Sequence, residues 1–179
     1  MKFTETKLGG SFLIDLEKRE DERGFFGRYY CQNEFSERDL NTTWVQINNS
    51  SNKYQGTLRG IHFQRAPYSE VKLVRCIKGA IWDVIVDLRN HSETFGQWYG
   101  AKLTEENRTM MYVPKGFGHG FITLQDSSEI IYLVSDFYNP DSEGDLHWSD
   151  PDVGIKWPLQ PKIISSKDRC ASSLIDLRL

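Results

Sequence analysis

The sequence predicts an all-β protein, a small barrel or jelly roll, and three observations carry that expectation. About eight or more short runs alternate apolar and polar residues, with turn signals at even spacing between them. Helical periodicity is nearly absent, so nothing lies between the strands to form a βαβ crossover. The chain of 179 residues suits one well-packed domain and is short for two, and it contains no Gly/Ser/Pro linker, internal repeat or low-complexity stretch.

The organising stretch is GTLRGIHFQRAPYSEVKLVRCIKGAIWDVIVDLR, Gly56 to Arg89. After the turn at Lys78–Gly79, AIWDVIVDLR has a period of two, with Ala80, Trp82, Val84, Val86 and Leu88 on one face. Ile81, Asp83, Ile85 and Asp87 share the other face. Such a strand is expected to turn one side to a core and the other to a lined cavity. Before it, Phe12–Leu16 reads as a strand, and DERGFF (21–26) has Gly24 as its turn residue and Arg23 as a polar side chain with reach. Phe25, Phe26, Tyr29 and Tyr30 crowd around Arg28, which suits core or subunit-interface packing. Asn33–Leu40 has helical character. Trp44–Asn49 is strand-like but polar at Gln46, Asn48 and Asn49; such amides satisfy one another across a sheet or meet a ligand with hydrogen-bonding edges. Further on, Trp98–Leu103, Met110–Val113 and Glu129–Ser135 read as strands. PKGFGHGF (114–121) reads as a glycine-rich segment of tight bends or close backbone approach around His119, without Walker or Rossmann spacing. Asn139–Asp145, containing Glu143, is a polar turn, and the Trp/Pro-punctuated tail from Trp148 is expected to wrap the domain.

Composition excludes several classes. The formal charge of −3 and the lack of a Lys/Arg cluster argue against a nucleic-acid surface. No apolar stretch is long enough to span a bilayer and no signal peptide stands at the start, so the expected compartment is the cytoplasm. Cys31, Cys76 and Cys170 are widely spaced and odd in number, which argues for a reduced compartment. The four histidines lack short ligand spacing, so no metal site is expected.

His62 in its strand is a satisfied core group, a metal ligand or a base. Arg59, Lys72 and Tyr132 tilt the balance, because each is costly to bury unless it binds something. Asp168 is placed to fix an imidazole tautomer. An imidazole abstracts a proton from a carbon acidified by a carbonyl, an ammonium stabilises the enolate, and a phenol returns a proton from the other side. Each residue also has a plainer reading: Lys72 a snorkelling strand lysine, His119 a turn histidine, Glu143 and Lys167 solvated charges, Asp168 a salt-bridge partner, Tyr138 a plug before Asn139–Pro140. Arg59 and Arg23 equally suit structural carboxylates such as Asp83 or Asp87. The residues alone place an acid–base enzyme only slightly ahead of a sugar-binding module.

The motifs, taken together, resemble the dTDP-4-dehydrorhamnose 3,5-epimerases of the cupin superfamily. The resemblance covers almost the whole chain: DERGFF (21–26), VQ-x-N (45–48), GTLRGIHFQ (56–64), KLVRC-x-KGAIWDVIVDLR (72–89), ENR (106–108), PKGFGHGF, YLVSDFYNP (132–140), SDP (149–151) and SSKD (165–168). It implies a double-stranded β-helix, the jelly-roll barrel of cupins, with short helices, as a single domain over 1–179. By motif position it implies His62 as catalytic base with Asp168 as its partner, Tyr132 as the opposing acid and Lys72 as the enolate stabiliser. Arg59 and Arg23 resemble the phosphate and nucleotide contacts, Gln46 and Asn48 the segment that meets the nucleoside, and Tyr138 the aromatic on the base. His119, Glu143 and Lys167 match further ligand-contacting positions. The family implies a homodimer whose N-terminal part reaches the neighbour's site, and chemistry without metal or organic cofactor. One position departs: members commonly carry glutamate two residues after the phenylalanine pair, where this chain has Arg28. That substitution is open to an added phosphate contact, another nucleotide or a rearranged interface.

The implied reaction is epimerisation at C3 and C5 of a nucleoside-diphosphate 4-keto-6-deoxyhexose through an enolate, a step of dTDP-rhamnose and polysaccharide biosynthesis. The rivals are an epimerase of C3 or C5 alone on a related nucleotide sugar, a 3,4-ketoisomerase, and a non-catalytic cupin sugar-binding protein. Arg28 keeps the single-centre reading open, Tyr132 and the HFQ context favour epimerisation over carbonyl transfer, and the binding-protein reading divides from the enzyme on whether His62 and Tyr132 flank one cavity.

Overall fold

The computed structural model of the chain describes residues 1–177. In chain order the strands are β1 (Lys2–Glu5), β2 (Phe12–Asp15), β3 (Arg19–Asp21), β4 (Gly24–Phe26), β5 (Gln46–Asn52), β6 (Thr57–Gln64) and β7 (Lys72–Lys78). They continue with β8 (Ala80–Asp87), β9 (Trp98–Thr104), β10 (Met110–Val113), β11 (Phe117–Thr123), β12 (Ser128–Val134), β13 (Glu143–Asp145) and β14 (Ile163–Ile164). Three short α-helices, α1 (Gln32–Ser36), α2 (Ser166–Arg169) and α3 (Leu174–Leu177), and a 3-10 turn at Pro140–Ser142 complete the described elements.

The strands form two large sheets. The first has the order β1-β2-β10-β7-β12-β5, and the second β13-β6-β11-β8-β9, with β14 beside β6. Pairing is antiparallel throughout except for the parallel β14–β6 contact, and β3–β4 is a separate hairpin. The expected barrel or jelly roll is therefore corrected. Neither sheet closes: β1 and β5 are the ends of the first, β13 and β9 of the second, and no backbone ladder joins the two. The sheets meet instead through side chains. Val74, Cys76, Met111, Val113 and Ile130 of the first pack against Ile81, Ile85, Leu103, Phe117 and Phe121 of the second. Alternation and strand count are common to open layered sheets and closed barrels, and closure depends on edge pairing that periodicity does not encode.

Each sheet is also covered on its outside. Ile14, Leu73, Met110 and Tyr112 of the first sheet are capped by Phe35 and Leu40 from the α1 region. Ile61, Val84 and Val86 of the second lie under Leu146, Val153, Ile155 and Leu174 of the tail. This explains β8, which is buried on both faces: its apolar side meets the tail, and its Ile81/Asp83/Ile85 side meets the inter-sheet core. The tail wraps as expected, yet it also contributes β14 and, upstream, β13 where only a polar turn was expected. The helix expected over Asn33–Leu40 is cut short at Ser36. Asp39 takes a left-handed φ of 55°, and the Leu40 N–H closes back onto the Phe35 carbonyl.

Of the two readings of PKGFGHGF, close backbone approach holds: residues 117–121 lie in the buried strand β11. Its glycines serve close approach: a Cβ on Gly118 would stand 2.5 Å from Ile61 Cγ2, and one on Gly120 2.8 Å from the Arg59 carbonyl oxygen. The facing Gly60, at φ +122°, would place a Cβ 2.5 Å from Gly120 Cα. Between His119↔His62 and Phe121↔Arg59, β6 spends one residue more than β11, so a bulge sits at Gly60–Ile61. That bulge governs the site.

Candidate active site

In a regular strand, residues three apart point to opposite faces. The extra residue in β6 reverses this for Arg59 and His62, and both side chains reach the space between the sheets. There the inter-sheet core gives way to a cleft of two lobes, about 390 and 370 Å³, in the size range of small-molecule sites. His62, Lys72 and Tyr132 line both lobes. The first lobe adds Gln46, Asn48, Glu70, Tyr138 and Glu143; the second adds Arg59, His119 and the polar edge of β5 at 49–51. His62 comes from the second sheet, and Lys72 and Tyr132 from the first. The imidazole and the phenol thus reach one cavity from opposite layers, the arrangement on which the enzyme and binding-protein readings divide. A larger hollow of about 550 Å³ lies elsewhere, around Lys7, Phe95, Trp98, Asp152 and Leu174. It gathers no histidine with an acid partner, so the chemistry is assigned to the two-lobed cleft.

His62 Nε2 is 2.7 Å from Asp168 Oδ1. Asp168 is held on α2, whose N-cap Ser165 accepts from the Asp168 N–H. Burial pushes the Asp168 carboxyl upward, but its bond and charge interaction with His62, the Ser165 hydroxyl and the Gly60 N–H outweigh that and hold it below the usual carboxylate range. A carboxylate only accepts, so Nε2 carries the proton and Nδ1 is left as the basic nitrogen. Across the cleft, burial first and the charge of Glu70 second raise the Tyr132 phenol, against the opposing charge of Arg59. Tyr132 is therefore held in its protonated form. Lys72 is buried, its ammonium 3.2 Å from Glu70 Oε1, which replaces the snorkelling reading.

The remaining candidates divide by location. Arg59 donates through Nε to Asn52 Oδ1 at 2.7 Å, not to Asp83 or Asp87. His119 bonds Asp83 at 2.8 Å, a second buried histidine–carboxylate pair directly opposite His62 in the β6–β11 register. Lys167 pairs with Glu143, and the Tyr138 hydroxyl reaches Glu143 Oε2 at 3.4 Å. That pairing draws the Glu143 carboxyl below its ordinary range, with the Lys167 bond as the largest favourable influence. Gln46 Oε1 accepts from the Tyr138 N–H at 3.0 Å, setting that ring's backbone over the first lobe. Arg23 and Arg28 are not brought to the cleft of their own chain. Arg23 is exposed on the β3–β4 hairpin and pairs with Asp21, and Arg28 bonds Glu34 at 3.1 Å. Among the described residues, no group of three or more His, Cys, Asp or Glu side chains is placed to hold a metal ion, and no helix is long and apolar enough to cross a membrane. Cys31, Cys76 and Cys170 are free thiols.

Sequence reasoning missed Glu70, Asn52 and the Asp83–His119 pairing. Glu70 was visible as the same-parity partner of Lys72 in Glu-Val-Lys, and Asp83 as the charged residue on an otherwise apolar strand face. Nothing in the sequence announces Asn52 as the partner of Arg59.

Comparison with known proteins agrees with this geometry. The family model described as dTDP-4-dehydrorhamnose 3,5-epimerase matches residues 5–176. The dTDP-4-dehydrorhamnose 3,5-epimerase of Salmonella typhimurium is 45% identical over 177 residues, covering 98% of this chain and 96% of the relative. The crystal structure of the enzyme of that name from Elizabethkingia anophelis superposes with a TM-score of 0.95 at 41% identity, covering 98% of this chain and 97% of the other. A 3,5-epimerase from Legionella pneumophila, solved in complex with dTDP-4-keto-L-rhamnose, superposes with a TM-score of 0.90 at 36% identity, covering 98% and 96%. With an imidazole and a phenol reaching one cleft from facing sheets, and with likeness along nearly its whole length, the chain belongs to the dTDP-4-dehydrorhamnose 3,5-epimerase family.

Proposed function

We propose that His62, Asp168, Lys72 and Tyr132 carry out the 3,5-epimerisation of a dTDP-4-keto-6-deoxyhexose, converting dTDP-4-dehydro-6-deoxyglucose to dTDP-4-dehydrorhamnose. The C4 carbonyl acidifies the hydrogens on C3 and C5. His62 Nδ1 removes one of them, and Asp168 stabilises the imidazolium that forms. The negative charge moves to the C4 oxygen, where the buried Lys72 ammonium offsets it. Tyr132 delivers a proton to the opposite face of the carbon, which inverts the centre, and the cycle repeats at the second carbon. The observation that supports this most is the placement of His62 and Tyr132 on opposite layers around both lobes. A binding module needs no acid facing a base.

The nucleotide end of the substrate is assigned to Gln46, Asn48, Tyr138, Glu143 and Lys167, and the diphosphate to Arg59 and His119. Arg23 and Arg28 are assigned to the site of a second copy in a homodimer, reached by the N-terminal segment. Exposed Phe26 on the same hairpin and Ile47 on β5 supply apolar surface for that contact. Free thiols suit a cytoplasmic enzyme. The test is NMR of 4-keto-6-deoxyglucose nucleotides incubated with the protein in heavy water, using dTDP, CDP, GDP and UDP forms. The dTDP form is expected to acquire deuterium at C3 and C5 and to yield the doubly inverted sugar. Label at one carbon alone would make it a single-centre epimerase, and no label a binding protein.

A further inference from the structure

The cleft contains a carboxylate that the mechanism above leaves without a role. Glu70 stands two residues before Lys72 and lines the same lobe. Its Oε1 is 3.2 Å from Lys72 Nζ, with the two side chains only 12% and 10% exposed. Its Oε2 lies 3.5 Å from Gln64 Nε2. Gln64 is itself clamped: the same amide nitrogen donates to the Tyr68 and Phe137 carbonyls, and Oε1 accepts from the Asn139 N–H at 2.7 Å. The carboxylate therefore sits between Lys72 and Gln64, and Gln64 is held in turn by the loop before β7 and the chain after β12.

The charges around Tyr132 explain why such a group is needed. Lys72 faces it from β7, Arg59 and His62 from β6, and His119 from β11, while Asn48 opposite it on β5 is neutral. Asp168 and Asp83 are engaged by the two histidines, and Glu143 by Lys167. Without Glu70 the phenol would lose one of the two influences that raise it, leaving burial alone against the Arg59 guanidinium, and nearby cations favour the phenolate. A phenolate cannot reprotonate carbon.

We propose that Glu70 is a positioning residue for reprotonation, holding the Lys72 ammonium at the enolate oxygen and keeping Tyr132 a neutral phenol until it surrenders its proton. This rests on the assignment of Tyr132 as acid and Lys72 as enolate partner. The proton balance is closed: the C–H proton goes to His62 Nδ1, the enolate electron pair takes the Tyr132 proton at carbon, and the resulting phenolate shares the cleft with Lys72. Solvent exchange then resets both groups. The direction of the Tyr132 shift, up through burial and Glu70 and down through Arg59, agrees.

The test is Glu70→Gln, which keeps the shape and the Gln64 contact but removes the charge, with Glu70→Asp as the charge-retaining control. Protein labelled with ¹³C at the tyrosine ζ carbon reports the Tyr132 titration without turnover, its resonance assigned by Tyr132→Phe. In Glu70→Gln that titration is expected to fall by about one pH unit or more. The basic limb of kcat for net inversion should move down with it, kcat should fall about tenfold at neutral to alkaline pH, and KM and dTDP affinity should hold within about threefold. Glu70→Asp should restore the titration toward wild type. An unchanged Tyr132 titration overturns the proposal, as does a loss that tracks only a lower Tm and reduces exchange and inversion equally. Full inversion by Tyr132→Phe would instead remove the underlying acid assignment, whatever Glu70→Gln does.

Discussion

His62 and Asp168 lie 106 residues apart in the chain and 2.7 Å apart in the fold, and the proposed chemistry depends on that contact setting the imidazole tautomer. Asp168→Asn keeps the shape but lets the amide donate, so the ring can flip its proton to Nδ1. Its kcat is expected to fall by roughly 10²–10⁴ with dTDP affinity retained, as measured by steady-state kinetics and calorimetry. Tyr132→Phe should suppress net inversion more than the first deuterium exchange, and equal loss of both would count against its role as acid. At this scale much was legible. His62, Lys72, Tyr132 and Asp168 stand out because each is chemically out of place on a strand or tail that otherwise reads as structural. Their partners were less legible, since Glu70, Asn52 and Asp83 matter through contacts the linear sequence does not display. The plain reading of Arg59 and Arg23 as holders of structural carboxylates holds for Arg23, which pairs with Asp21, and not for Arg59, which bonds Asn52; Asp83 and Asp87 already have His119 and Arg89.

At the scale of elements, the β6 bulge positions the site and the corner after β8 anchors the fold. Gly60 at the bulge can be replaced only by driving a Cβ into the β11 backbone, which has no flexible end to yield. Gly60→Ala should therefore lower Tm and stability by about 1–3 kcal/mol, read by thermal and urea melts, and disturb Arg59 and His62 together. At the corner, buried Asp87 is bonded by Arg89, Ser92 and Thr94. Burial pushes its carboxyl up, but those bonds outweigh burial and bring it down to about 2. A depressed folded-state value means stability that is fully present above the unfolded value near 4 and lost as pH falls toward 2. The drop is worth about 2 kcal/mol, so Asp87→Asn should be less stable than wild type at pH 7 and show a shallower loss between pH 4 and 2 in acid melts. Strand positions were legible from alternation, as β8, β10 and β12 show. The bulge was not read, although a glycine inside a strand run is its usual mark. The sequence leaves β11 between tight bends and close backbone approach, because glycines needed for close packing look the same in sequence as glycines needed for turning. The short β1, β3, β4 and β13 offer too few residues for a period of two to emerge.

For the whole molecule, the sequence supported layered β-structure but not its closure: two open sheets pack face to face where a barrel was expected, because which edges remain unpaired is a property of the assembled chain. The family was legible from motifs spread along the full length, and the comparisons agree with it. Arg23 and Arg28 lie outside their own chain's cleft, so the proposed homodimer makes a sharp prediction. Mixed and reassorted subunits of inactive Arg23→Ala and His62→Ala should recover about a quarter of wild-type activity. Half of the dimers would then be mixed, and each of those has one intact site of two. No recovery would place Arg23 outside the partner's site. The most direct test of the central claim follows deuterium entering C3 and C5 of the dTDP-4-keto sugar, by NMR, with His62→Ala at a concentration where dTDP still binds. The account predicts that both carbons stay unlabelled; exchange at the wild-type rate would show that some other group takes the proton.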